Sequence, residues 1–135
     1  MDSFYRDAML EHVAELEEEF KDYQRLLVES PEPTKVLYRA IERSMQLLIE
    51  ACIGIAKQSI KSKGKQVPSD ARKAFEKMGE LSMDLKSADW SSIVGMRNAI
   101  VHDYLNLDRR KVLEVVLNNN YQLLFQFAYN ALKEY

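Results

Sequence analysis

The sequence predicts an all-α protein, an antiparallel bundle of four or five helices, and three observations carry that prediction. Apolar residues recur at spacings of three and four over long stretches, the period of a helix with one buried face. Only four glycines and three prolines punctuate 135 residues, too few for the many turns of a sheet. Hydrophobic residues make up 47% and charged residues 30%, a balance suited to a packed chain rather than a disordered one. The length suits one domain, residues 1–135, able to bury a core without disulfide or metal staples.

The first helix is expected over residues 3–29, where Met9, Val13, Leu16, Phe20, Tyr23 and Leu27 form one stripe. The segment SPEP at 30–33 stops it, because proline cannot continue a helix and restricts the residue before it. A second helix is expected over 34–61, with a wider apolar face that includes Ile41, Leu48, Cys52 and Ile55, the mark of deeper burial. The basic loop KSKGKQVP, 61–68, lacks the spacing of a phosphate-binding P-loop. Ser69 or Asp70 caps a short third helix, and Gly79 is expected to end it in the left-handed conformation. After a connection over 80–90, a fourth helix is expected over 89–104, with Ile93, Met96 and Ile100 on its core stripe. A fifth, capped by Asp108 and reaching about 133, carries three poor helix formers at 118–120, where it bends or frays.

Charge and cysteine usage narrow the function classes. One cysteine, Cys52, permits no internal disulfide and no cysteine-based zinc cage, and reads as a small core residue. The acidic N-terminus lacks a signal-peptide layout and no apolar run is long enough for a bilayer. A cytoplasmic protein, away from the membrane, is expected. Residues 1–29 hold nine acids and three bases, whereas 57–77 hold seven bases against Asp70 and Glu76. That basic stretch, with Lys61, Lys63 and Lys65 at its centre, is either a solvated helix end or a face for an anionic partner such as RNA.

The fourth helix ends in MRNAIVHDY, 96–104, which sets Arg97, Asn98, His102, Asp103 and Tyr104 in one place. A guanidinium binds phosphate through a planar fork of donors and stays charged, and an imidazole exchanges a proton near neutral pH. Metal-free RNA cleavage needs those functions: a proton leaves the 2′-hydroxyl, one reaches the departing 5′-oxygen, and the crowded phosphate is stabilised. No clustered metal ligands accompany His102. Yet the two residues lie about 140° apart at about 100° per residue. Either long side chains converge, or the helix unwinds near His102, or a second copy completes the site. The pattern also arises where an arginine makes a surface salt bridge and a histidine is satisfied by a core carbonyl. Tyr104 borders the core stripe, as tyrosines do that pack with the hydroxyl in water. Asn98 either orients His102 from one turn below or caps a local carbonyl, and Asp103 either tunes the imidazole or points to solvent. Glu50, within the apolar half of the second helix, either approaches the site or pairs with a lysine, and His12 reads as an exposed residue.

The segment RNAIVHDY on the fourth helix resembles the HEPN superfamily, whose shared motif is Arg, four to six residues, then His, often with a polar residue straight after the arginine. Arg97, Asn98 and His102 match it, and His102-x-Tyr104 resembles the HepT-like toxin branch, with its Arg-x4-His-x-Tyr pattern. The second helix, ERSMQLLIEACIGIAKQSI, has the texture of that branch. The resemblance implies a metal-independent endoribonuclease toxin of a toxin–antitoxin system, without cofactor, active as a homodimer with Arg97 and His102 as its catalytic pair. It implies an RNA substrate, tRNA by analogy. It further implies an MntA-like antitoxin, a minimal nucleotidyltransferase that transfers AMP to Tyr104. The other reading within the family is a non-enzymatic dimer that binds nucleotide or such a partner. A third is a helical interaction protein docking through its acidic first helix.

Overall fold

A computed structural model describes residues 1–135. Its six helices follow in order: α1 (Ser3–Glu29), α2 (Lys35–Ser62), α3 (Ala71–Glu80), α4 (Trp90–His102), α5 (Arg109–Leu117) and α6 (Tyr121–Glu134). There is no strand. Four starts carry an aspartate or threonine whose side chain accepts an otherwise unpaired backbone N–H: Asp2 from Tyr5, Thr34 from Leu37, Asp70 from Lys73 and Asp89 from Ser92. At α5, Asp108 accepts from both Arg110 and Lys111.

The long α2 runs through the middle, against α1, α3, α4 and α6. Its central position explains why its apolar face is so wide. Phe20 packs among Tyr23, Tyr121 and Phe125 at one side of the core. At the other, Phe75 stacks on Trp90 at 4.1 Å and both meet Phe127 edge-on. Each such aromatic pair contributes about 0.5–1.5 kcal/mol beyond its buried area. Cys52 is fully buried where α2 meets α6, its thiol directed at the Leu124 carbonyl. Burial pushes that thiol far above its ordinary pKa.

Four expectations change. The predicted fifth helix is two helices, because Asn119 adopts a left-handed φ of 59° and interrupts the helix between α5 and α6; asparagine tolerates that conformation better than most residues. Gly79 lies inside α3 without a positive φ; the left-handed residue is Ser82, at 58°. The fourth helix stops at His102, and Tyr104–Asn106 form a separate 3-10 turn. There the Asn106 amide donates to the Asp103 carboxylate at 2.8 Å, a local side-chain bond of the kind that competes with helix continuation. Finally, α4 buries Trp90 and Val94, while Ile93, Met96 and Ile100 stay half-exposed. Ile93 and Met96, with Met45, Ile49, Val115 and Leu123, line an open apolar groove of about 280 Å³. No helix is long and apolar enough to cross a membrane.

Candidate functional site

α4 presents Arg97 and His102 differently. Arg97 is half-buried, and its Nε is shielded from solvent with no hydrogen-bond partner. None of the ion pairs of the chain involves it. His102 is the last residue of the helix and is exposed. The two stand five positions apart on intact helix, so their side chains leave the axis about 140° apart. Within one chain they do not face one small ligand. Asn98 is half-buried beside Arg97. Asp103 bonds Asn106 and caps the end of α4.

Beyond α4, the 3-10 turn carries Tyr104 back over the N-terminal half of α2. Its hydroxyl donates to Glu42 Oε1 at 2.9 Å. Glu42 is only 5% exposed, and its other oxygen, Oε2, is buried with no partner. Tyr38, one turn earlier on α2, is buried as well. Burial first, and then the neighbouring Glu42 carboxylate, raise the Tyr38 pKa well above its ordinary value. Two guanidinium groups complete the cluster: Arg39 lies 5.5 Å over the Tyr104 ring and Arg109 lies 5.0 Å over the Tyr38 ring. Neither is paired with a carboxylate.

The basic stretch lies elsewhere. Lys61 and Lys63 are exposed at the far end of α2, with Lys65 in the loop beyond, and Lys63 sits over the Tyr135 ring at 5.4 Å. At 1.5 Å rise per residue, Lys61 stands roughly 28 Å along the helix from Glu42. Glu50 is half-buried and accepts from Gln46 at 3.0 Å; it pairs with no lysine. His12 is half-buried rather than exposed. No three His, Cys, Asp or Glu side chains gather as a metal site requires.

Sequence reasoning missed Glu42 as the partner of Tyr104, and missed both arginines beside it. The signal was present: Tyr38, Glu42 and Met45 fall at i, i+4 and i+7, which puts a carboxylate on the core stripe of α2.

Residues 9–130 match the profile of a family described as "Ribonuclease HepT-like". No curated protein matches the chain significantly. Among solved structures, a chain from "Crystal structure of the toxin-antitoxin with AMP-PNP" shares its fold, with a TM-score of 0.73 at 21% identity. The alignment covers 98% of this chain and 99% of that one.

Proposed function

The chain belongs to the HepT-like ribonuclease family, and from that premise we propose that it is the toxin of a toxin–antitoxin system, a metal-independent endoribonuclease acting through Arg97 and His102 in a single domain, residues 1–135. The observation that carries this reading is Arg97, a guanidinium with a buried, unbonded Nε and no carboxylate partner, on the helix that ends in an exposed His102. With no carboxylate partner, the terminal N–H groups of this half-buried guanidinium are left to bind a phosphate oxygen through charge-assisted hydrogen bonds.

The angular separation of the pair is resolved by a second copy. A two-fold axis beside the end of α4 would gather two arginines and two histidines in one cleft, and Ile93 and Met96, half-exposed along the same helix, leave apolar surface for a contact between copies. In the reaction, one His102 takes the proton of a 2′-hydroxyl as the 2′-oxygen bonds to phosphorus. The bond from phosphorus to the 5′-oxygen breaks, and His102 of the second copy returns a proton to that oxygen. Arg97 stabilises the charge gathering on the phosphate. Asn98 and Asp103 support this end of the helix. Lys61, Lys63 and Lys65 add binding energy along the RNA backbone, with tRNA the substrate class family analogy favours. No cofactor enters the reaction.

Control falls to Tyr104. A toxin–antitoxin complex of this fold was solved with AMP-PNP, which supports an adenylyl nucleotide in the control of such proteins. The partner proposed here is an MntA-like minimal nucleotidyltransferase that places AMP on Tyr104 in the cytoplasm. The added negative charge and bulk then repel substrate phosphate and block the path to His102.

The test is incubation of wild type and His102→Ala with total cellular RNA in EDTA. Wild type is expected to leave 2′,3′-cyclic phosphate ends, and His102→Ala to be slower by about 10²-fold or more. Cleavage lost in EDTA and restored by magnesium overturns the mechanism. RNA left intact by a folded wild-type dimer favours the non-enzymatic binding reading.

A further inference from the structure

Glu42 has no role in RNA cleavage as derived above, yet it is an unusual residue to keep. Its carboxylate is 5% exposed, no cation lies within ion-pair distance, and Oε2 is buried and unbonded. A buried carboxylate with two tyrosine hydroxyls beside it but no cation partner costs free energy that an apolar residue of similar volume would not. Its one hydrogen bond comes from the Tyr104 hydroxyl, at 2.9 Å. We propose that Glu42 is the general base that activates Tyr104 for nucleotidyl transfer, so that this chain supplies part of the catalytic machinery for its own modification. The inference rests on the reading of Tyr104 as the AMP acceptor.

The geometry meets what the step needs. The Tyr104 oxygen attacks the α-phosphorus of a nucleoside triphosphate held by the transferase. The oxygen–phosphorus bond forms as the bond to pyrophosphate breaks, and pyrophosphate leaves with that electron pair. The phenolic proton passes along the existing hydrogen bond to Glu42 Oε1, within the reach a general base requires. The unpaired guanidinium of Arg39, 5.5 Å over the Tyr104 ring, offers a cation to the incoming phosphates, as does Arg109 beside Tyr38. Tyr104 is half-exposed, and Leu105 beside it is 97% exposed, so the turn is open to a partner protein. Tyr38 lies against the same carboxylate, but its oxygen is sealed from solvent. Burial therefore selects between the two tyrosines.

The test measures transfer of labelled AMP from α-³²P-ATP to the full-length chain by a purified MntA-type nucleotidyltransferase, over pH 7 to 9. The chains compared are wild type, Glu42→Gln, Glu42→Asp and Tyr104→Phe, each checked for folding by circular dichroism. Glu42→Gln keeps an acceptor for the hydroxyl but cannot take its proton. It is expected to be modified roughly 10²-fold or more slowly at pH 7, with the deficit shrinking as pH rises and hydroxide takes over the proton. A purely structural role for Glu42 would not produce that pH-dependent recovery. Glu42→Asp, a base drawn back by one methylene, is expected between the other two, and it serves alone if the glutamine chain does not fold. Either variant modified at the wild-type rate at pH 7, or a glutamine deficit independent of pH, overturns the role of Glu42. Undiminished labelling of Tyr104→Phe overturns the premise that Tyr104 is the acceptor, and the inference falls with it.

Discussion

Arg97 is where a conservative change should tell the most. Its Nε is buried without a partner, so Arg97→Ala removes no protein–protein hydrogen bond at that atom. The variant is expected to melt within a few degrees of wild type and to lose about 10²–10³-fold in RNA cleavage, the usual cost of one donor to a developing charge. Arg97→Lys keeps the charge but not the planar fork, and at least a tenfold loss of kcat is expected. A lysine variant at wild-type rate would mean that Arg97 acts as a point charge. The residues of this site were unevenly legible. Arg97, His102 and Tyr104 stand out because their chemistry and spacing are local, within eight residues of chain. Glu42 does not, because its meaning comes from a contact across 62 positions. A glutamate between Ile41 and Arg43 looks the same in sequence whether it turns to solvent or into the core.

Among the elements, the helices of the first half were legible nearly to the residue, since α1 and α2 carry long apolar stripes bounded by proline or a basic loop. The misplaced boundaries lie where short-range turn chemistry decides. Asn119 and Ser82 take left-handed backbone that glycine would occupy more cheaply; the run of asparagines at 118–120 marks a bend without fixing a full break, and Ser82 does not announce itself by composition. Gly79 pointed the other way, yet it sits in ordinary helix, where an added Cβ would meet Leu85 Cδ1 at 3.8 Å, a normal contact. Two substitutions therefore reverse the usual expectation. Gly79→Ala is expected to stabilise by about 0.4–1 kcal/mol through the unfolded state. Ser82→Gly is expected to help by a similar amount, since relief of about 1–2 kcal/mol of left-handed strain exceeds the added entropy cost of glycine. Thermal melts should show each variant about 2–4 °C above wild type; a fall in either would mean that its turn is held by something other than backbone preference.

For the molecule entire, the proposed dimer and the basic end of α2 make separable demands. A charge placed in the α4 groove by Met96→Glu should leave the half-exposed position foldable but separate the copies. Analytical ultracentrifugation is expected to show a monomer at micromolar concentration with RNA cleavage lost; a fully active monomer would remove the second copy from the site. Lys61, Lys63 and Lys65 lie at the end of α2 away from Tyr104. Replacing all three with alanine should therefore flatten the salt dependence of RNA binding, as fewer counterions are released, while single-turnover cleavage at saturation stays near wild type. An unchanged salt slope would return these lysines to solvent. One buried atom gives a common measure for all these variants. The thiol of Cys52 is fully enclosed between α2 and α6 and held far from its reactive thiolate form. An alkylating reagent can reach it only when the bundle opens, which for domains of ordinary stability is about 10⁻³–10⁻⁶ of the time. The chain thus carries a single-site clock of its own opening: alkylation at an unchanged rate marks a variant whose loss is chemical, and faster alkylation marks one whose loss is of the fold.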